Sequence, residues 1–259
     1  MIRIWIACTD HFQEKEVFTR GCGLLDAVRL EKTKRCKKSQ DKARSLCCGL
    51  LLQYALGSFL KQGLWQARGP SDDAPDAVPL PGPEERKLAI RYGYGAYGKP
   101  YFLDYPQFHF SLSHSGAYAA LACADRELGM DLQQSRPVRE ETAARVLSPP
   151  EYDRYAAQEH VRESAEWFYR CWCAKESYGK LKGTGLLCDP RRITLAADGT
   201  AVESGAERAL CREYLPVQGY YMNVCVAQTE DVAAETSGKA ALFPEAVTDV
   251  TEELLVVLQ

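Results

Sequence analysis

The chain has 259 residues, of which 46% are hydrophobic and 26% are charged, and its formal net charge is -3. This composition is ordinary for a globular protein of one large or two small domains, which can bury a core without disulfides. The slightly negative charge argues against general nucleic-acid binding, and no segment approaches the ~20 consecutive apolar residues of a membrane span.

The chain contains 11 cysteines, and none of them has the spacing of a zinc site. The first residues, Met1 to Ile6, lack the basic region and long apolar run of a signal peptide. We therefore expect a cytoplasmic protein whose thiols are free in a reducing compartment, many of them buried as small hydrophobic side chains.

The first part of the chain predicts one strand, one long helix and one exposed loop. Residues Ile2 to Cys8 are apolar and β-prone, which is typical of a strand. Eight Lys or Arg lie between Arg29 and Arg44 and lead into Asp41 to Leu60, where apolar residues recur near helical spacing. Residues Gly69 to Pro83 hold five prolines and three aspartates and predict a loop.

Four strand-like segments follow in the middle of the chain. Three of them are separated by only a few residues, which favours an antiparallel meander. The predicted strands are Leu88–Tyr92, Phe108–Leu112, Tyr118–Ala124 and Leu128–Leu132.

The second half predicts three helices and two further strands. Ser148 is placed to cap a helix that has proline in its first turn, and Gly183 is placed to end a long helix. Beyond Gln228 only Leu254–Leu258 shows a pattern. The predicted helices are Val138–Leu147, a helix from Ser148, and Val161–Lys182, and the strands are Arg192–Ala196 and Tyr220–Ala227.

Three polar segments interrupt this pattern, and they indicate a site when they are taken together. Asp131 lies in an apolar strand, where an unpaired carboxylate is costly, and Gln133 faces the same side. Glu176 and Lys180 are spaced by four on a predicted helix. The segments are Tyr97–Pro100 (YGKP), Phe110–Gly116 (FSLSHSG) with Gly129–Gln133 (GMDLQ), and Trp172–Leu186 (WCAKESYGKLKGTGL).

If the strand packs on the helix, Asp131, Gln133 and Glu176 converge beside Lys180. Two carboxylates and an amide oxygen form a hard oxygen site that suits magnesium. Nearby lysines and a histidine indicate that substrate phosphates supply the remaining ligands.

Each segment alone also has a simpler explanation. Glu176 and Lys180 could be a surface ion pair worth ~0.3 kcal/mol. Residues Ser113 to Gly116 suit a hairpin turn, and Asp131 suits a strand-end cap. Their joint occurrence, in one order and with compact spacing, favours a functional site.

These segments resemble the motifs of the Sfp-type 4'-phosphopantetheinyl transferases. The family motifs are GKP, (N)xSHS, G-x-D-x-E, and W-x-x-K-E-[SA]-x-x-K followed by Gly-x-Gly-Leu, and counterparts of all four occur in order between Tyr97 and Leu186. A looser match begins at Asp41, with Arg44 and Ser45.

The resemblance implies an α+β fold of two similar subdomains related by a pseudo-two-fold axis. Each subdomain would be a small, mainly antiparallel sheet with a packed long helix, and coenzyme A would lie in the cleft between them. The implied boundaries are 1–125 for the N-terminal subdomain, 126–228 for the C-terminal subdomain with the metal site, and 229–259 for a tail of unknown role.

The resemblance also implies a role for each site residue. Asp131 and Glu176, with Gln133 at the third position, would hold magnesium, and Lys180 would bind the pyrophosphate. Glu151 matches a family glutamate near the reacting centre, so the catalytic candidates are Glu176, Glu151 and Lys180. The implied coenzyme A-binding residues are Arg44, Ser45, Lys99, Pro100, Ser113, His114, Lys175 and Lys180 and, through a gapped alignment, Lys32 and Arg35.

Two positions depart from the family pattern. The usual asparagine of the serine-histidine segment is Ser111, and the third acidic position of the metal site is Gln133. An amide oxygen can still ligate magnesium, or a water can replace it. Because the site carries one negative charge fewer, its metal affinity should fall.

The resemblance implies a magnesium-dependent transfer of the phosphopantetheine arm of coenzyme A to a carrier serine. The serine hydroxyl would attack the β-phosphate, Glu176, Glu151 or water would take its proton, and adenosine 3',5'-bisphosphate would leave. The partner would be an acidic acyl, aryl or peptidyl carrier domain docked on residues 137–152 through Val138, Val146 and Leu147. We expect a monomer that binds neither nucleic acid nor membrane.

Two other functions are compatible with the same residues. A magnesium phosphohydrolase would use these carboxylates to release phosphate or nucleotide without a carrier. A catalytically weakened coenzyme A-binding or carrier-binding homologue, with Gln133 as the sign of decay, would bind coenzyme A without turnover.

Overall fold

The computed structural model describes residues 2–61, 90–187, 189–195, 200–203, 208–228 and 242–258. The loop predicted over Gly69–Pro83 and the start of the strand predicted over Leu88–Tyr92 lie outside these ranges. Within them the fold is α+β, as predicted, because two small sheets are each covered by one long helix.

The described residues form strands and helices in a mixed order along the chain. The strands are β1 (Arg3–Cys8), β2 (Tyr92–Tyr94), β3 (Pro100–Phe102), β4 (His109–Ser115), β5 (Tyr118–Ala124), β6 (Leu128–Gln134), β7 (Ile193–Leu195), β8 (Thr200–Glu203), β9 (Arg208–Tyr214), β10 (Tyr220–Ala227) and β11 (Thr248–Asp249). The helices are α1 (Lys15–Leu24), α2 (Ala27–Arg35), α3 (Ser39–Lys61), α4 (Glu140–Val146), α5 (Pro149–Ala156), α6 (Val161–Lys182) and α7 (Thr251–Val256).

The two main sheets lie face to face, and each carries its long helix on the outer side. The first sheet has the order β11-β1-β5-β4 and the second has the order β6-β10-β9-β8-β7. On β1, Trp5 and Ala7 pack toward α3, whereas Ile4 and Ile6 join Met130 of β6 in the core between the sheets. Helix α6 covers the opposite face of β6 and β10. Strands with both faces covered are apolar throughout, which explains the unbroken apolar runs in the sequence.

The predicted meander is correct for two of its three strands. Strands β4 and β5 pair antiparallel, but β6 pairs with β10 in the second sheet and not with β5. The meander was wrong because the chain crosses from one sheet to the other after Ala124, so that residues such as Leu132 pack against the first sheet instead of extending it.

Helix α3 is long and apolar enough to cross a membrane by length and composition. In this fold it is a core helix, because Leu46, Leu51 and Leu56 are buried against the first sheet.

The end of the described chain packs on the first sheet and α3. Strand β11 runs parallel to β1, and Leu254 and Leu258 are buried in the core between this sheet and α3.

The cysteines differ from the sequence expectation at one place. Cys211 and Cys225 oppose each other on β9 and β10 with Cα atoms 4.3 Å apart, and they form a disulfide. The expectation of free thiols is therefore wrong for this pair, because cross-strand opposition cannot be seen in cysteine spacing. Eight other described cysteines are free.

Candidate functional site

A cavity of about 700 Å³ lies where the two halves of the fold meet. Helices α2 and α3 of the first half and strand β4 line one part of it, and the last turn of α6 in the second half lines another. The residues that matter for its chemistry are Arg29, Lys32, Ser45, Ser113, His114 and Lys180.

The cavity is strongly basic, and Arg29 is its most constrained cation. The Arg29 side chain is buried, with 8% of the residue exposed, and its Nε and Nη2 atoms find no hydrogen-bond partner among the described residues. Buried guanidinium donors without acceptors are costly, and an anion that binds them compensates this cost. Arg29 is therefore a candidate anion-binding group that the sequence did not single out, and its i, i+3 spacing from Lys32 was the only signal there.

At the edge of the cavity, Asp131 is held by three polar side chains. Asp131 is only 2% exposed, and its Oδ1 accepts hydrogen bonds from Ser113 Oγ at 2.8 Å and Lys180 Nζ at 2.7 Å. Its Oδ2 accepts one from Gln133 Nε2 at 2.9 Å. The backbone at Gly129 allows this arrangement, because a Cβ atom there would lie 1.9 Å from the Ser177 carbonyl oxygen of α6.

Glu176 is the second carboxylate of this cluster and lies one turn before Lys180 on α6. Burial raises the pKa of Glu176, the charge of Asp131 raises it further, and Lys180 lowers it. Two carboxylates therefore share one ammonium group, which leaves negative charge without compensation. Asp131 contacts Gln133 and Lys180, and Glu176 lies close enough for the charges of Asp131 and Lys180 to shift its pKa, as predicted on the condition that the strand packs on the helix.

The donor set of this cluster fits a hard divalent cation. No three His, Cys, Asp or Glu side chains of the described ranges form a metal-binding group. Asp131 and Glu176 with the amide oxygen of Gln133 supply carboxylate and amide oxygens, which magnesium prefers. The uncompensated negative charge next to a basic anion cavity is the chemistry expected where a cation and a phosphorylated ligand bind together.

His114 and its neighbours form the basic side of the cavity. Burial lowers the pKa of His114, and the charges of Arg44, Lys180 and Lys32 lower it further. The Ser45 hydroxyl bonds the Thr33 hydroxyl at 2.8 Å. Arg44 itself is engaged elsewhere in the free protein, since Nε donates to the Gly116 carbonyl at 2.8 Å and Nη1 to Asp41 at 2.9 Å.

Lys99 and Pro100 line the cavity from the β2–β3 hairpin. The Lys99 ammonium also pairs with Glu127 and donates to the carbonyl oxygens of Leu128 at 3.1 Å and Leu181 at 3.3 Å. The hydrogen bond from His109 and the pairing with Lys99 lower the pKa of Glu127 to about 2. Lys99 thus ties the hairpin to the second half of the fold.

Arg35 points away from the cavity. It is exposed on α2 and pairs with Glu31 at 2.5 Å, one turn earlier on the same helix. Lys32, three residues before it, lines the cavity instead. The coenzyme A-binding role of Arg35 stays a prediction that this placement does not support.

Lys175 and Glu151 form a separate buried ion pair. Lys175 Nζ lies 2.5 Å from Glu151 Oε2 and donates to the carbonyl oxygens of Val146 at 3.1 Å and Pro190 at 2.9 Å. Glu151 Oε2 also accepts from the Ser148 backbone at the start of α5. Neither side chain lines the cavity. Their predicted coenzyme A-binding and catalytic roles stay predictions, and the observed contacts are those of a structural pair.

The predicted docking surface on residues 137–152 is corrected in part. Val146 and Leu147 are buried in a small core between α4 and α6, so they cannot contact a partner without unfolding it. The pattern of apolar and polar residues in a short amphipathic helix shows that it has an apolar face. It does not show whether that face contacts a partner or another helix of the same chain. Val138 is half-buried at the edge of the same core.

Comparisons with known proteins agree on one family. A family profile described as the 4'-phosphopantetheinyl transferase superfamily matches residues 127–225. The chain is 34% identical over 175 residues to the 4'-phosphopantetheinyl transferase Sfp of Bacillus subtilis (strain 168), covering 65% of this chain and 72% of that protein. A 4'-phosphopantetheinyl transferase of Bacillus subtilis is 29% identical over 215 residues, covering 80% and 85% of the two chains.

Proposed function

Because the chain belongs to the 4'-phosphopantetheinyl transferase superfamily, we propose that it transfers 4'-phosphopantetheine from coenzyme A to a serine of an apo acyl, aryl or peptidyl carrier protein. The transfer would depend on magnesium and release adenosine 3',5'-bisphosphate. One observation carries this proposal. A basic cavity, with the buried guanidinium of Arg29 whose Nε and Nη2 find no acceptor among the described residues, adjoins the Asp131–Glu176 carboxylate pair through Ser113 and Lys180.

Cationic side chains of the site would bind the phosphates of coenzyme A, and its carboxylates would bind magnesium. Arg29, Lys32 and His114 supply donors for the 3'-phosphate, and Lys180 supplies an ammonium for the pyrophosphate. Asp131 and Glu176, with Gln133 or a water at the third position, would hold magnesium. Bound magnesium would neutralise charge on the pyrophosphate and on the departing oxygen. The protein's own work is to position the ligand and to exclude alternative geometries.

Glu176 is the favoured base for the carrier serine. It belongs to the carboxylate cluster at the cavity, where burial and Asp131 raise its pKa in the metal-free protein and Lys180 lowers it. Glu151 is committed to Lys175 and to the start of α5, away from the cavity. We therefore assign proton acceptance to Glu176, directly or through a water.

The test is mass spectrometry of several apo-carriers after incubation with the protein, coenzyme A and magnesium. We expect one carrier serine to gain the mass of one phosphopantetheine. Release of nucleotide without a carrier would instead identify a phosphohydrolase. Tight coenzyme A binding with no product from any carrier would identify a catalytically weakened binding protein.

His114 gives a prediction on pH. Its pKa lies below the usual value in the free protein, so the imidazole is neutral near pH 7. A bound 3'-phosphate favours the imidazolium and raises this pKa, so binding takes up a proton. Coenzyme A affinity should therefore fall as pH rises between the free and bound pKa values of His114.

The measurement is calorimetry of coenzyme A binding, without metal, in buffers of different ionisation enthalpy. Dephospho-coenzyme A lacks the 3'-phosphate and should show a smaller proton uptake, as should His114→Gln with coenzyme A. Equal proton uptake for both ligands would place His114 away from the 3'-phosphate.

Gln133 gives a prediction on the metal site. In the free protein its Nε2 donates to Asp131, so Gln133→Glu replaces a donor by a third carboxylate. Without a cation the variant should melt at a lower temperature than the unmutated protein because the carboxylates repel one another. With magnesium it should bind the cation more tightly by about 1 kcal/mol, the scale of one partly solvated charge.

A magnesium titration of the transfer rate, together with melting curves in the presence and absence of magnesium, measures both effects. Gln134→Glu is the matched control, since it adds the same charge to the neighbouring residue on the other face of β6. An unchanged or higher half-saturating magnesium concentration in Gln133→Glu would show that position 133 does not face the metal.

A further inference from the structure

The β2–β3 hairpin forms one wall of the cavity and is tied to the second half of the fold. Its residues 97–100 line the cavity. Lys99 makes the tie, through Glu127 and the carbonyl oxygens of Leu128 and Leu181. The shape of the cavity therefore also depends on how this hairpin is held against the first half.

Helix α2 of the first half forms another wall, and Asp26 is its N-cap. Arg29 and Lys32 of this helix line the cavity. Asp26 Oδ1 accepts a hydrogen bond from the Arg29 backbone N–H at 2.9 Å. An N-cap carboxylate satisfies a free backbone donor of the first turn and is favoured by the positive end of the helix. Asp26 thus fixes where α2 begins, and with it the backbone that carries both cations.

Tyr92 of the hairpin donates to the other oxygen of the same carboxylate. Its hydroxyl lies 3.0 Å from Asp26 Oδ2. Asp26 is only 7% exposed and Tyr92 is half-buried, so little water competes for this hydrogen bond. Burial and the charge of Asp26 raise the pKa of Tyr92, which keeps the phenol protonated and able to donate. One buried carboxylate therefore joins the first turn of α2 to strand β2.

The ring of Tyr92 is packed independently of its hydroxyl. It meets the Phe102 ring edge to face, with the ring centroids 5.3 Å apart, and Phe102 is buried in the core of the first half. Because a phenylalanine would keep this packing, the hydrogen bond to Asp26 can be removed by mutation without emptying space in the core.

We propose that Asp26 and Tyr92 are positioning residues that hold helix α2 and the β2–β3 hairpin in the arrangement that binds coenzyme A. Neither side chain lines the cavity, so both act through the residues of the two walls. This inference rests on the proposed function, because it concerns the same site. When only a fraction of the molecules has the binding arrangement, the apparent affinity falls by that fraction. Loss of the hydrogen bond should therefore weaken coenzyme A binding, although no contact with the ligand is removed.

The test is a double-mutant cycle, which measures the coupling between two residues. Tyr92→Phe removes only the hydroxyl. Asp26→Ser keeps one oxygen for the N-cap and lacks the second oxygen that Tyr92 uses. The first readout is calorimetry of coenzyme A binding, without metal and well below the melting temperature of every variant.

Each single variant should bind coenzyme A roughly tenfold more weakly, the scale of one lost hydrogen bond to a charged group. The double variant should bind no more weakly than the weaker of the two single variants, because both substitutions remove the same hydrogen bond. Tyr94→Phe is the matched control and should bind as the unmutated protein does, since Tyr94 is exposed on the same strand.

The second readout is the kinetics of transfer by Tyr92→Phe. The half-saturating concentration of coenzyme A should rise by the same factor as in calorimetry. The rate at saturating coenzyme A and the half-saturating concentration of the carrier should stay unchanged. A hydroxyl that only stabilises the fold would lower the melting temperature and leave all three quantities unchanged, and that result would overturn the proposal. Single effects that simply add in the double variant would overturn it as well.

Should Asp26→Ser fail to fold, the comparison of Tyr92→Phe with Tyr94→Phe decides the question by both readouts. The proposed function fails separately, in that the unmutated protein would bind coenzyme A and modify no apo-carrier. Calorimetry needs no carrier, and it would still show whether the hydrogen bond between Tyr92 and Asp26 supports coenzyme A binding.

Discussion

Glu176→Gln is expected to reduce the rate of phosphopantetheine transfer by roughly 10²- to 10³-fold, the scale that follows removal of one preorganised electrostatic group from a reacting site. The amide keeps the shape of the side chain but can neither take the serine proton nor neutralise a cation. Asp131→Asn is expected to cause a loss of similar size, because it removes the carboxylate held by Ser113 and Lys180.

Glu176→Gln should also make the ligand-free protein more stable near pH 7. Burial and Asp131 raise the pKa of Glu176 in the folded state, so the folded protein binds its proton more tightly than the unfolded chain does. Stability therefore falls as pH rises through the window above the ordinary glutamate pKa. Glu176→Gln removes this loss at pH 7 and should have little effect on stability at pH 4.

Transfer assays at saturating magnesium and melting curves at the two pH values measure these effects. Glu163→Gln is the matched control, since Glu163 is exposed in the first turn of the same helix. It should leave both transfer and melting temperature unchanged. If the Glu176→Gln protein transfers phosphopantetheine at the normal rate, Glu176 has no role in the reaction and its assignment is wrong.

Elements with a strong local signal were predicted from the sequence to within a few residues. Helix α6 has the predicted bounds, because Gly183 adopts a left-handed φ of 72° and ends it. Helix α2 was missed because its nine residues are mostly charged and carry no apolar stripe. Strand β9 was missed because Arg208, Arg212 and Glu213 interrupt its apolar residues, and its pairing with β10 is what makes it a strand.

In the candidate site, too, contacts that follow from local spacing were predicted and contacts between distant elements were not. Spacing on one strand and one helix predicted that Asp131 lies near Glu176 and Lys180 on the condition that the two elements pack together, and β6 and α6 do pack together. The partners of Ser113 and Lys175 depend on contacts between elements far apart in the chain, which no spacing rule contains. Arg29 differs from the other cations of its basic stretch in being buried, and the sequence of that stretch does not show which cation is buried.

Arg29→Met is expected to weaken coenzyme A binding by roughly 10- to 100-fold, which corresponds to the loss of 1.5–3 kcal/mol of charge-assisted hydrogen bonding. The Nε and Nη2 atoms are free to bind because the described residues supply them with no acceptor. An unbranched methionine keeps much of the packing of the arginine stem. It also leaves the hydrogen bond from the Arg29 backbone to the Asp26 cap intact.

The free Arg29→Met protein should be at least as stable as the unmutated protein, because a buried cation with two donors that the described residues leave unpaired opposes folding. Coenzyme A should raise the melting temperature of the unmutated protein and raise that of the variant much less, since ligand stabilisation follows affinity. Lys34→Met, an exposed position on the same helix, is the control and should bind as the unmutated protein does.

Calorimetry with coenzyme A and dephospho-coenzyme A then shows which phosphate group of the ligand the Arg29 guanidinium contacts. A larger loss for coenzyme A supports the proposed contact of Arg29 with the 3'-phosphate, and an equal loss contradicts it and moves Arg29 to the pyrophosphate. Unchanged affinity for both ligands, or a free variant that melts earlier, would show that the guanidinium supports the fold and binds no anion.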